Sequence, residues 1–215
     1  MIQKSIIGFL LALVILTGGC VERRERATKI NPSEYFPLNE GDRFVYSGVA
    51  GEIKVTRQID SLFTRTYYDS TGNVMTWEDF SRDEKGVYWN NMVLADKKLQ
   101  VNFFPRLIFA PWSNIVGDTL LVPAVEIRSD SVDSHFRIQL SYEIEGVEDI
   151  TTPAGKFPNC IKMKITYNYL DEKVRRIFAP EITRWFARDV GIVRYKTALV
   201  SGDLLEATVG GVNYP

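Results

Sequence analysis

A chain of 215 residues that is 45% hydrophobic, 25% charged and 12% aromatic has an ordinary globular profile, which excludes a disordered or fibrous protein. Its 26 basic and 27 acidic residues are mixed along the sequence and leave a net charge of −1, so no basic field exists to hold a nucleic acid. A single β-rich domain can absorb this length.

The first residues, MIQKSIIGFLLALVILTGGC, place Lys4 ahead of an apolar run from Ile6 to Leu16. That run is shorter than the ~20 residues needed to cross a hydrocarbon core of about 30 Å, and it has the dimensions of a secretory signal. It ends in Leu16-Thr17-Gly18-Gly19-Cys20, which resembles the lipobox of bacterial lipoproteins, with Thr17 where leucine is usual. The resemblance implies cleavage before Cys20 and attachment of acyl chains such as palmitate to it. Several chains on one residue hold a protein to a membrane where a single chain is marginal. Val21, rather than aspartate, follows the cysteine; by the sorting pattern of such lipoproteins this implies the periplasmic face of the outer membrane. The expected layout is a signal peptide over 1–19, the lipidated Cys20 with a flexible tether over 20–34, and one β-rich domain over 35–215. Within the tether, Glu22 and Glu25 interrupt the arginines, which marks a solvated spacer rather than a headgroup-binding patch.

From Tyr35 onward the period is two. Alternation predicts strands near Arg43–Ser47, Glu52–Ile59, Leu62–Tyr68, Val74–Phe80 and Val87–Val93. It continues through Leu120–Ile127, Phe136–Ile144, Ile161–Tyr169, Thr183–Arg188, Ile192–Val200 and Leu204–Val209. Turn signals such as DSTGN, SRDEKG and RDVG fall between them. The fold expected is all-β: a curved antiparallel sheet, half-barrel or open barrel, of about ten to twelve strands with little helix. PLNEGDRFVY and PWSNIVGDTLLV each run from a proline through a Gly-Asp pair into a strand, the pattern an internal duplication leaves, though such turns are common in β proteins.

YFPLNEGDRFVY, FAPWSNIVGDTLLV, TTPAGKFPNCIKMKITY and WFARDVGIVRYK, in that order, resemble an uncharacterised group of bacterial envelope lipoproteins. Their pattern is YFPL-x-x-G-x-x-W-x-Y, TPAG-x-F-x-x-C and W-[YF]-A-x-G-V-G-x-V. This chain has Phe44 where the pattern has tryptophan and Asp189 where glycine is frequent. The resemblance implies a β-rich domain similar to the half-barrels of lipoprotein-carrier-like proteins. It implies no activity and carries over no catalytic residue.

Candidate chemistry is sparse. One histidine, His135, and one cysteine besides Cys20 provide no zinc spacing, and no calcium loop occurs, so neither a metal nor another cofactor is expected. Asp133-Ser134-His135 groups suggestive residue types, but strand neighbours point to opposite faces, so a catalytic arrangement is not expected. Ala154-Gly155-Lys156 lacks the flanking residues of a phosphate loop. TTPAGKFPNC reads as a connection in which Phe157 tucks back onto the sheet and Cys160, by parity, faces away from the core. VNFFPRLIFAPW concentrates Phe103, Phe104, Leu107, Ile108, Phe109 and Trp112 around two prolines. Those prolines argue against a regular central strand. The segment is then either an irregular connection capping the sheet or the apolar lip of a ligand- or partner-binding surface. The chain is read as a non-enzyme held to the membrane by its lipid anchor. It is either a binding module for a lipid or other apolar ligand, or a structural lipoprotein that joins an envelope protein assembly.

Overall fold

The computed structural model describes residues 30–48, 51–95, 99–129, 134–169 and 180–215. The expected signal peptide, Cys20 and most of the expected tether therefore lie outside the described residues. The last part of the expected tether, Pro32–Glu34, forms a 3-10 turn with Asn31 accepting from the Ser33 amide. Glu34 ties this turn to the body, accepting from the Asp189 amide at 2.6 Å and pairing with Arg188.

Among the described residues, thirteen strands make one antiparallel sheet in simple chain order. They are β1 (Arg43–Tyr46), β2 (Glu52–Ile59), β3 (Leu62–Tyr68), β4 (Val74–Asp83), β5 (Gly86–Leu94), β6 (Leu99–Ile108) and β7 (Thr119–Ser129). The remainder are β8 (Ser134–Thr152), β9 (Gly155–Tyr169), β10 (Glu181–Ala187), β11 (Gly191–Thr197), β12 (Ser201–Val209) and β13 (Val212–Tyr214). β1 also bonds to β12, from Arg43↔Thr208 to Tyr46↔Leu204, which draws the curled sheet together along a short seam and leaves β1 with both edges paired. The all-β curved sheet expected from alternation is the fold observed.

Two local expectations are corrected. VNFFPRLIFAPW contains a strand, β6, rather than a wholly irregular connection. Its pairing with β5 jumps from Leu107↔Trp89 to Asn102↔Asn91, so Pro105 sits in a stretch without ladder partners on that side and its missing N–H removes no bond there. TTPAGKFPNC is the tip of the longest hairpin, with Thr152↔Gly155 closing a two-residue turn. Phe157 is buried as expected, but Cys160 is 0% exposed and lies in the core cluster. Strict parity fails because the β8–β9 register shifts between Glu148 and Ile150, where Asn159 adopts a φ of 53°.

The two Gly-Asp segments fold alike. Gly41 donates to Val55 O at 2.9 Å and Val55 donates back to Asp42 O at 2.8 Å. Gly117 donates to Ile144 O at 2.8 Å and Ile144 donates back to Asp118 O at 2.9 Å. Each turn also closes on itself, Asp42 to Asn39 and Asp118 to Ile115, both at 3.0 Å. Followed across the sheet, the registers give equivalent rows: Val55–Arg65–Glu78 in the first half and Ile144–Met163–Arg184 in the second. β1–β6 and β7–β12 are thus two meanders begun by the same turn.

The core is continuous through the inside of the curl, with Phe63, Phe80, Leu140, Tyr142, Ile144, Met163 and Phe186 among its fully covered side chains. Tyr35–Leu38 crosses this interior. Phe36 packs between Phe80 and Phe109, with ring centroids 5.4 and 4.7 Å away. Asp189, where the related pattern has glycine, adopts a φ of 62°, a left-handed geometry that glycine takes freely and aspartate tolerates.

Candidate functional site

Inward-facing strand positions that should be apolar hold charge. Arg65 on β3 lies between Phe63 and Tyr67, and its register partner on β4 is Glu78, one inward position from Phe80. Both are buried, Arg65 at 3% exposure. The Tyr67 hydroxyl donates to Glu78 Oε2 at 2.6 Å. Burial pushes the Glu78 carboxyl above its ordinary range, opposed by the Arg65 charge and the Tyr67 hydrogen bond. Burial likewise raises the hydroxyls of Tyr46, Tyr67 and Tyr142.

The Arg65 guanidinium sits among rings, 4.8 Å from the Phe36 centroid and between 5.5 and 5.9 Å from those of Tyr67, Phe80 and Phe44. Its Nε and Nη1 are buried with no hydrogen-bond acceptor. Arg184 on β10 stands 4.3 Å over the Phe109 ring. Among the described residues, neither arginine takes part in an ion pair.

Both arginines face a cavity of about 190 Å³. Its apolar wall is Ile53, Phe109 and Ile192, with Tyr46 fixed by donation to Ile192 O at 2.7 Å. The half-buried Ile182, Tyr195 and Thr197 form its outer side. A larger hollow, about 520 Å³, lies on the opposite sheet face among Glu145, Lys162, Glu181, Trp185 and Lys196. Its charges largely satisfy one another, as in Lys162–Glu145 at 3.0 Å, so it behaves as solvated surface. Of these two hollows, the one between the arginines is lined by buried side-chain donors without acceptors.

Of the six residues singled out in VNFFPRLIFAPW, only Phe109 lines this cavity. Phe103 and Leu107 are buried elsewhere in the core, and Ile108 and Trp112 pack against it, the latter edge-on to Tyr142. Phe104 is 51% exposed. His135 pairs with Arg128 in the β7–β8 ladder; its side chain and Asp133 lie outside the described residues. No group of three or more His, Cys, Asp or Glu among the described residues is placed to hold a metal. Arg65, Glu78 and Arg184 were not singled out from the sequence. The signal was there: each occupies an apolar parity position, Arg184 between Ile182 and Phe186.

Burial raises the Cys160 thiol to about 11, and its Sγ donates to Phe157 O at 3.3 Å. A thiol so protonated and covered is a poor nucleophile. In native protein at pH 8, a disulfide reagent leaves Cys160 unmodified over the time in which denatured protein reacts fully; rapid native labelling would contradict this environment.

Residues 121–208 match a family model described as DUF3108-like. That span runs from β7 into β12 and includes TTPAGKFPNC and WFARDVGIVRYK, while YFPLNEGDRFVY precedes it. Among solved structures, the chain is similar to one described as a "putative lipoprotein" from Parabacteroides distasonis: 19% identity, 80% of this chain, 97% of that chain, TM-score 0.43. It is also similar to a "putative exported protein with YmcC-like fold" from Bacteroides fragilis: 15% identity, 80% of this chain, 98% of that chain, TM-score 0.45. None of the curated proteins matches.

Proposed function

We propose that the protein is a lipid-anchored lipoprotein of the cell envelope, at the periplasmic face of the outer membrane, that binds a small ligand with an apolar part and performs no chemistry on it. The observation that supports this reading is the cavity lined by Tyr46, Ile53, Phe109 and Ile192, which opens on the half-buried side of β10 and β11. At about 190 Å³ it is smaller than the roughly 300 Å³ at which pockets for drug-sized ligands begin. The ligand is therefore compact, or enters by one end only.

The test is native mass spectrometry of full-length protein extracted from its envelope membranes in mild detergent. Retention of a discrete small-molecule mass supports the binding module. A clean ligand-free mass together with a stoichiometric protein partner would replace it with the structural reading. The anchor has its own test: Cys20→Ser moves the protein from the membrane to the soluble fraction, because lipid attachment is lost. Retention of the variant in washed membranes would remove the lipoprotein assignment.

A further inference from the structure

We infer that the cavity recognises an oxyanion, the carboxylate or phosphate head of a small amphiphile, through Arg65 and Arg184, with the apolar stem against Ile53, Ile182 and Ile192. The inference rests on the binding-module reading and adds the chemistry of the ligand. Guanidinium groups remain charged inside proteins and present planar N–H donors that match carboxylate and phosphate oxygens. Two such groups line one cavity, and the buried Nε and Nη1 of Arg65 have no acceptor. Buried N–H donors without acceptors are costly, and native folds rarely keep them without use.

The nearby residues do not remove this demand. Four aromatic rings surround Arg65, and their π faces offset part of its charge, but rings are weak hydrogen-bond acceptors. Glu78 is the buried carboxyl opposite Arg65 in the register, yet it forms no ion pair with either arginine and is held by the Tyr67 hydroxyl. Whether Glu78 is ionised or neutral, two arginines against one carboxyl leave net positive charge in the chamber. The repeat gives a second view of Arg65. The equivalent position in the other half is Met163, which is 0% exposed. The fold therefore accommodates an apolar side chain at this point of the row, and packing alone does not require arginine.

The experiment uses full-length protein in phosphatidylcholine nanodiscs, titrated with hexanoate, hexyl phosphate, hexanol and inorganic phosphate by calorimetry, with thermal unfolding in parallel. Hexanoate or hexyl phosphate binds at least tenfold more tightly than hexanol or inorganic phosphate, and the tighter of the two identifies the head group. Arg65→Met, which copies the repeat-related residue, weakens that binding at least tenfold without lowering the unliganded unfolding midpoint. Arg184→Gln, at a half-buried position, weakens binding as well. Equal binding of hexanol and hexanoate, unchanged in Arg65→Met, would overturn the oxyanion inference and leave the binding module intact. Inorganic phosphate binding as tightly as hexyl phosphate would overturn the amphiphile. A lowered midpoint in Arg65→Met with unchanged hexanoate affinity would make Arg65 a structural residue. Failure of all four probes, with no mass retained by protein from native membranes, would remove the binding module itself.

Discussion

Phe80→Ala lowers the free energy of unfolding by about 3–5 kcal/mol, the range for deleting a fully buried phenyl ring. Phe80 is 0% exposed. It lies 4.8 Å from Phe109 in an edge-on arrangement and 5.4 Å from Phe36, the residue with which the entering N-terminal segment crosses the core. Its removal costs transfer free energy, leaves a cavity that rigid strands fill poorly, and loosens one side of the Arg65 surroundings. Because total stabilities are about 5–15 kcal/mol, the variant sits near the limit of folding. Denaturant unfolding followed by tryptophan fluorescence gives the value; Phe80→Leu falls well below it. A loss under about 1 kcal/mol for the alanine variant would mean that this cluster is not the packed centre of the fold.

Gly202→Ala carries the second large effect, by crowding rather than by a void. A Cβ built at Gly202 would stand 2.3 Å from Ser47 O and 2.4 Å from Tyr195 Cε1, closer than atoms pack. The carbonyl belongs to backbone at the β1–β12 seam, where Ser47 and Asp203 exchange hydrogen bonds of 2.9 and 2.8 Å. Neither neighbour yields cheaply, so a cost of about 1–3 kcal/mol is expected, as for overpacked cores. Tyr195 lines the outer side of the cavity, so the same methyl group shifts the cavity wall. Gly146→Ala is the control: a Cβ there meets nothing within 4 Å, and its stability stays within about 0.5 kcal/mol of the parent. If the two variants were equally stable, the close approach at the seam would be refuted.

Much of the fold is legible as pattern. Phe63, Arg65 and Tyr67 against Phe80 and Glu78 show alternation surviving into register. β2 and β3 fall where period two placed them, because a half-buried strand must alternate to keep one face dry. β6 was not legible as a strand, since Pro105 is admissible only where the neighbouring ladder is already interrupted, and no local signal reports that. Cys160 was misplaced for a related reason. A bulge resets parity, and it arises from pairing between β8 and β9 rather than from the residues of either alone. The Gly-Asp repeat was visible as letters, but only matched hydrogen bonds to Val55 and Ile144 give it structural content.

The candidate site divides along the same line. Composition set a globular chain, the N-terminal residues the expected membrane anchor at Cys20, and period-two alternation an all-β fold, because these depend on local chemistry and periodicity. The tertiary structure decided what the inside contains. A charged residue at an inward parity position reads in the sequence as a break in pattern at Arg65, Glu78 or Arg184. Only the curl of the sheet brings strands three and ten to one cavity, leaves the Arg65 Nε and Nη1 without acceptors, and separates Phe109, which lines that cavity, from its exposed neighbour Phe104. Burial and partnership are properties of the closed surface, which distant strands make together.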